Sequence, residues 1–189
     1  MQNFPINIIQ LIEITGTFAF AVSGIRFAAK KEFDIFGAYI IGLITAIGGG
    51  TLRDVLLDKT PFWLLDSSYF ITTLIALITV LIFKKRLIYL GGTLFIFDSI
   101  GLGLFTIVGL TKSLEMGLPY WACILMGTIT GSFGGVLRDV FINEIPLLFK
   151  KDIYALTCVL GGILYFLLKN TELSSFYIEI SSAVFIILL

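Results

Sequence analysis

Histidine is absent from the 189 residues. That single absence removes serine–histidine and cysteine–histidine nucleophile pairs, imidazole metal ligands and the commonest general base. Cysteine occurs twice, as Cys123 and Cys158, each inside an apolar run and without the spacing of a zinc or redox motif, so both read as small packing residues. Charge is scarce too: 14% of residues are Asp, Glu, Lys or Arg, and thirteen basic residues balance thirteen acidic ones. No basic footprint for nucleic acid remains, and none is expected as a partner. No Lys or Arg precedes Arg26, and the first apolar stretch is longer than a signal-peptide core, so the first segment is expected to stay in the membrane.

What is present in excess is apolar. Hydrophobic residues make up 58% of the chain and mean hydropathy is +1.03, against about 45–50% apolar usage in soluble domains. A water-soluble globule is excluded. Charge clusters, turn residues and prolines divide the chain into seven apolar runs of roughly bilayer-crossing size. They are Ile6–Ala29, Phe36–Leu52, Asp66–Phe83, Ile88–Leu110, Leu118–Val140, Ile153–Leu168 and Ser174–Leu189. The expected fold is therefore an all-α membrane protein of seven transmembrane helices, with Trp63 and Trp121 near span ends as interfacial anchors.

Self-comparison finds a repeat. An ungapped offset of 85 residues lays Gly49-Gly50-Thr51-Leu52-Arg53-Asp54-Val55 on Gly134-Gly135-Val136-Leu137-Arg138-Asp139-Val140. It also pairs Gly16 with Gly101, Phe20 with Phe105, Gly24 with Gly109, Thr45 with Thr130, Pro61 with Pro146 and Tyr69 with Tyr154, and sets Glu13 on Asp98. Composition alone does not align a shared GGxLRDV and a proline at the same distance beyond it. A unit of three crossings is odd, so its second copy enters the membrane from the other side. The expected organisation is an inverted three-plus-three repeat, residues 1–87 and 88–172, with a peripheral seventh helix over 173–189. Such folds place the ligand path at the repeat interface.

Basic residues give the orientation. One side collects Arg26, Lys30, Lys31, Lys84, Lys85, Arg86, Arg138, Lys150 and Lys151, nine in all; the other has Arg53, Lys59, Lys112 and Lys169. The richer side is expected to be cytoplasmic, with the N-terminus outside and the C-terminus inside, in the inner (cytoplasmic) membrane. The Lys84-Lys85-Arg86 run reads first as a topogenic signal.

Glycine supplies 19 residues where average usage of about 7% would give about 13. Gly48, Gly49 and Gly50 end one apolar run, and Gly131, Gly134 and Gly135 hold the matching place in the fifth. Each glycine costs a helix about 1 kcal/mol relative to alanine, so such clusters are expected to bend or unwind the helix and expose backbone to a pore. Close packing through small residues is the alternative. Arg53-Asp54 and Arg138-Asp139 follow at once. Charges at this depth must pair, face the interior or snorkel. Neighbours on a helix point about 100° apart, so crossed pairs are expected, Arg53 with Asp139 and Arg138 with Asp54; four independent interfacial charges are the alternative. Glu13 and Asp98 are a second matched pair inside apolar runs, suited to attracting cations, and Thr45 and Thr130 are among the hydroxyls that could line a hydrated path.

The doubled GGxLRD motif in a three-plus-three repeat with an extra helix resembles the prokaryotic trimeric intracellular cation (TRIC) channels, a group that includes bacterial proteins also catalogued as glycine transporters. The resemblance covers essentially the whole chain. It implies a homotrimer in the lipid bilayer, one hydrophilic pore per protomer bent at the glycine clusters, and potassium or other monovalent cations as permeant ions, with no cofactor. Animal members carry a KEVxR segment whose Lys and Arg contact a phosphoinositide. Here Arg138 and Val136 match, but Gly134 and Gly135 stand where Lys and Glu would be, so that regulation is not carried over.

Two functions therefore compete: a potassium-permeable channel, and a carrier of a small zwitterion such as glycine, with an arginine on its carboxylate and Glu13 or Asp98 on its amine. With no histidine and no nucleophile beside a recognisable base, no enzyme is expected.

Overall fold

The computed structural model describes residues 8–83, 93–150 and 153–189. The Lys84-Lys85-Arg86 run, Lys151 and the first residues of the fourth expected span lie outside them. Among the described residues there are nine helices and no strand: α1 (Ile8–Lys30), α2 (Ile35–Leu56), α3 (Phe62–Leu65), α4 (Ser68–Ile82), α5 (Thr93–Glu115), α6 (Tyr120–Phe141), α7 (Leu147–Lys150), α8 (Tyr154–Lys169) and α9 (Ser175–Leu188). Four of them, α1, α2, α5 and α6, are long and apolar enough to cross a membrane, and α4, α8 and α9 are shorter apolar helices. The chain is a multi-pass membrane protein.

Patterning is inverted relative to a soluble bundle. In α4 the inward face is Tyr69, Thr72, Thr73, Ala76, Leu77 and Val80, while Ile71, Leu74, Ile75, Ile78, Leu81 and Ile82 are exposed. Both sets follow helical spacing. The inward face mixes the hydroxyls of Tyr69, Thr72 and Thr73 with apolar residues, while the exposed face is branched aliphatic, because the outer solvent is hydrocarbon.

The centre is a four-helix core in which α1 packs on α2, α5 on α6, and the two pairs on each other through α1·α5 and α2·α6. Helix α2 starts at Asp34, whose carboxylate accepts from the Gly37 amide at 2.7 Å, a standard N-cap. It does not stop at Leu52 as the apolar run suggests but continues to Leu56, and α6 runs to Phe141. The two ends are built alike. Asp58 and Asn143, 85 residues apart, take left-handed backbone at φ 54° and 56°. The next amides, of Lys59 and Glu144, each donate to the carbonyls of Asp54 and Asp139 at 2.8 Å. These are Schellman ends on Asp and Asn, residues that tolerate that conformation. Pro61 and Pro146 then open the four-residue helices α3 and α7.

The glycine clusters do not unwind. Both lie in uninterrupted helix, and among the described glycines only Gly117 has positive φ. The expectation of a broken, carbonyl-baring helix is corrected in favour of close packing. A Cβ on Gly49 would run into the Thr130 carbonyl, and one on Gly134 into the Thr45 carbonyl. Backbone meets backbone where α2 crosses α6, and the dispersion attraction of that close approach offsets the helix cost of glycine.

Candidate functional site: two buried charge clusters

Arg53 and Arg138 are both 0% exposed. A bare charge so placed costs several kcal/mol, so every donor matters. Arg138, on α6, donates through Nε to Asp139 Oδ1 at 2.8 Å and brings Nη2 to the same oxygen at 2.8 Å. Its Nη1 donates to Ser23 Oγ of α1 at 2.7 Å and to Asp98 Oδ1 of α5. Tyr154 of α8 donates its hydroxyl to the other Asp98 oxygen at 2.6 Å. Three helices meet at one guanidinium, and α8 joins them through Asp98.

The second cluster repeats the first at an offset of 85. Arg53 Nε donates to Asp54 Oδ1 at 2.8 Å, its Nη1 faces Glu13 Oε1 at 3.6 Å, and Tyr69 donates to Glu13 Oε2 at 3.2 Å. In each cluster the aspartate's second oxygen accepts a backbone amide eight residues on, from Phe62 at 2.8 Å and Leu147 at 2.9 Å. Asp54 and Asp139 therefore do two jobs: they neutralise the arginine and they fix the start of α3 or α7 after the proline.

The crossed pairing is overturned. Each arginine binds its own neighbouring aspartate, because three methylenes let the guanidinium curl across the 100° between adjacent positions. The carboxylate brought in from another helix is Glu13 or Asp98, not the distant aspartate.

The clusters differ in one respect. Lys112 of α5 places Nζ 2.6 Å from Glu13 Oε1 and 5.9 Å from the centre of the Phe62 ring, over which Arg53 also sits at 5.4 Å. The position 85 residues before Lys112 is Phe27, and there Arg138 stacks on the ring at 5.5 Å. One cluster thus holds a second cation where the other holds an aromatic face.

Helices α1 and α5 link the clusters. From Glu13 to Ser23 is ten residues of α1, about 15 Å. Between them Phe20 stacks on Phe105 of α5, ring centres 5.4 Å apart at 17°, both rings 1% exposed. The hydroxyls of Thr45 and Thr130 donate to their own helices, to the Ile41 and Met126 carbonyls at 2.6 Å, as most membrane-helix threonines do. Of the six candidate glycines, Gly135 borders a cluster, its Cβ position lying 2.9 Å from the Tyr154 hydroxyl and 3.7 Å from Asp98. Gly50 faces Phe62, Gly48 faces Leu137 and Gly131 faces Thr106. Cys123 and Cys158 are free and buried. Trp63 donates to Thr51 at 3.0 Å. Among the described residues no group of His, Cys, Asp or Glu is gathered to hold a metal.

Sequence reasoning missed Lys112 and gave Tyr69 and Tyr154 no role. The tyrosines were visible as a matched pair. Lys112 had a signal of its own, a charge in an apolar run whose matched position is apolar.

At the end of the core away from Glu13, Glu144 accepts from Lys31 at 2.6 Å and from Lys150 at 3.4 Å. These bonds, first that from Lys31, hold its carboxyl below the ordinary range. The contact joins the α1–α2 turn to the segment after α6.

Comparison with known proteins is consistent with this geometry. A family model described as "Glycine transporter" matches residues 10–85 and again 95–170, two stretches 85 residues apart. A UPF0126 membrane protein of Vibrio cholerae is 37% identical over 161 residues, covering 84% of this chain and 67% of that protein. The inner membrane protein YadS of Escherichia coli is 35% identical over 156 residues, covering 82% and 75%. Among solved structures, the TRIC trimeric intracellular cation channel orthologue from Rhodobacter sphaeroides superposes with a TM-score of 0.88 at 29% identity, covering 96% of this chain and 94% of that one. A prokaryotic TRIC channel crystallised in 0.5 M KCl gives 0.85 at 33% identity, with the same coverages.

Proposed function

Since this chain belongs to the family that the glycine-transporter model describes, and shares its fold with solved TRIC channels, we propose that it is a potassium-permeable monovalent cation channel with one path per protomer. The observation that carries the reading is the pair of buried carboxylate clusters set in series along α1 and α5. Glu13 and Asp98 offer an entering cation a partial replacement for its hydration shell, and the arginines hold those carboxylates in place. On this reading the conformation is closed. The Phe20–Phe105 stack stands midway between the clusters, a dry constriction that must part before ions pass.

The finer organisation follows the same proposal. Helices α1, α2 and α4 form one half and α5, α6 and α8 its inverted counterpart, with α9 peripheral and seven spans in all. The protomer is one third of a homotrimer. The end carrying Lys31, Glu144 and Lys150 faces the cytoplasm, and the Glu13 end faces outward. Support for the orientation comes from the Glu144 contacts, which gather basic residues from two different connections at one end.

Carriage of glycine rests on the family description. Each guanidinium it would need for a carboxylate is already ion-paired, at Nη2, with its neighbouring aspartate, Asp54 or Asp139. One pair of measurements on purified protein separates the two: potassium currents in planar bilayers and glycine uptake into proteoliposomes. Discrete potassium current steps are expected. Saturable glycine flux without them overturns the channel.

A further inference from the structure

Lys112 breaks the correspondence between the clusters. Counting the groups in direct contact, Arg53 and Lys112 oppose Asp54 and Glu13 at one end, while Arg138 opposes Asp139 and Asp98 at the other. The Lys112 side chain is 25% exposed, whereas Arg53 beneath it is 0% exposed. Lys112 is thus the more exposed cation of this cluster. Its ammonium takes the Glu13 oxygen at 2.6 Å and leaves Arg53 at 3.6 Å from the same atom. In the other cluster, with Phe27 in the matched position, the arginine closes on Asp98 directly.

We propose that Lys112 is a tethered competitor for the entrance site: its ammonium occupies the Glu13 carboxylate in place of the permeant cation and lowers cation entry from that end. The inference deepens the channel reading and rests on it. An ammonium and a potassium ion are monovalent cations of similar size, so one carboxylate accepts either, and each entering ion must displace the lysine. Phe62 lies beside the same ammonium, 5.9 Å from ring centre to Nζ, and adds to its hold.

The test is unitary potassium current in planar bilayers. Lys112→Gln should raise it about fivefold at low ionic strength, the factor for removing a unit charge at about 4 Å in bulk-water dielectric. The gain should shrink toward 1 M KCl, where the Debye length falls to about 3 Å. Lys112→Arg should stay near the unsubstituted protein. Lys112→Cys supplies a check on protein already folded and reconstituted, because Cys123 and Cys158 are buried and shielded from reagent. Coupling 2-aminoethyl methanethiosulfonate to the new thiol restores an ammonium and should lower the current again; the sulfonatoethyl reagent should not. An unchanged or reduced current in Lys112→Gln, a gain that does not depend on salt, or no fall on aminoethylation overturns the proposal while leaving the channel standing. If the unsubstituted protein and every variant are silent, the channel reading fails and this inference with it.

Discussion

Replacing Arg138 with leucine leaves Asp98 and Asp139, 0% and 1% exposed, without the guanidinium that joins them. The Tyr154 and Ser23 hydroxyls and the Leu147 amide remain, but none carries charge. Deleting one partner of a buried pair costs about 3–5 kcal/mol, much of it the uncompensated charge left behind. The same change at Arg53 abandons Asp54 but not Glu13, which keeps Lys112 at 2.6 Å. If the penalty divides between the two carboxylates, Arg53→Leu costs about half as much, ~1.5–2.5 kcal/mol. At about 2–4 °C per kcal/mol for a chain of this size, Arg138→Leu should melt about 3–10 °C below Arg53→Leu. Thermal unfolding in detergent, followed by the fluorescence of Trp63 and Trp121, reads the gap. Adding Lys112→Met to Arg53→Leu should close it. Equal melting temperatures for the two single variants, or a lower one for Arg53→Leu, would refute the argument that Lys112 compensates Glu13.

At the helix crossing, Gly49→Ala and Gly134→Ala should each cost about 1–3 kcal/mol, the usual penalty of overpacking. Gly16→Ala, whose Cβ would meet only the Phe105 ring edge at 3.2 Å and Leu104 Cβ at 3.4 Å, should cost less in the same melts. The Lys31–Glu144–Lys150 link should show in pH dependence. Because the folded Glu144 carboxyl titrates below its ordinary value, its stabilisation is fully present above the unfolded pKa of about 4.3 and is lost as pH falls through the folded one. Glu144→Gln should therefore lower the melting temperature at pH 7 and converge with the parent protein in acid.

The positions that matter were legible because the chain states them twice. The 85-residue self-match marks Glu13 and Asp98, both Arg-Asp pairs and both tyrosines without reference to any structure. Their partners were not legible, since pairing depends on how a long side chain curls, and angular spacing on a helical wheel says nothing of that. The ends of α2 and α6 were hidden for a different reason. Val55-Leu56-Leu57 is apolar, and the stop is made at Asp58 by a left-handed residue that is not glycine, so the usual terminator is missing from the sequence. The glycines carried the most ambiguous message. Helix propensity and close approach make opposite predictions for Gly48–Gly50, and only the neighbours decide: the Thr130 carbonyl at Gly49, and the Leu137 and Phe62 side chains at Gly48 and Gly50.

That crossing has a genetic consequence. The atoms in the way of a side chain at Gly49 or Gly134 are main-chain oxygens of Thr130 and Thr45, which persist whatever residue is encoded at those codons. A lesion at either glycine therefore has no local suppressor by side-chain trimming. Revertants of Gly49 or Gly134 substitutions should restore glycine itself, or alter the spacing of whole helices from a distance.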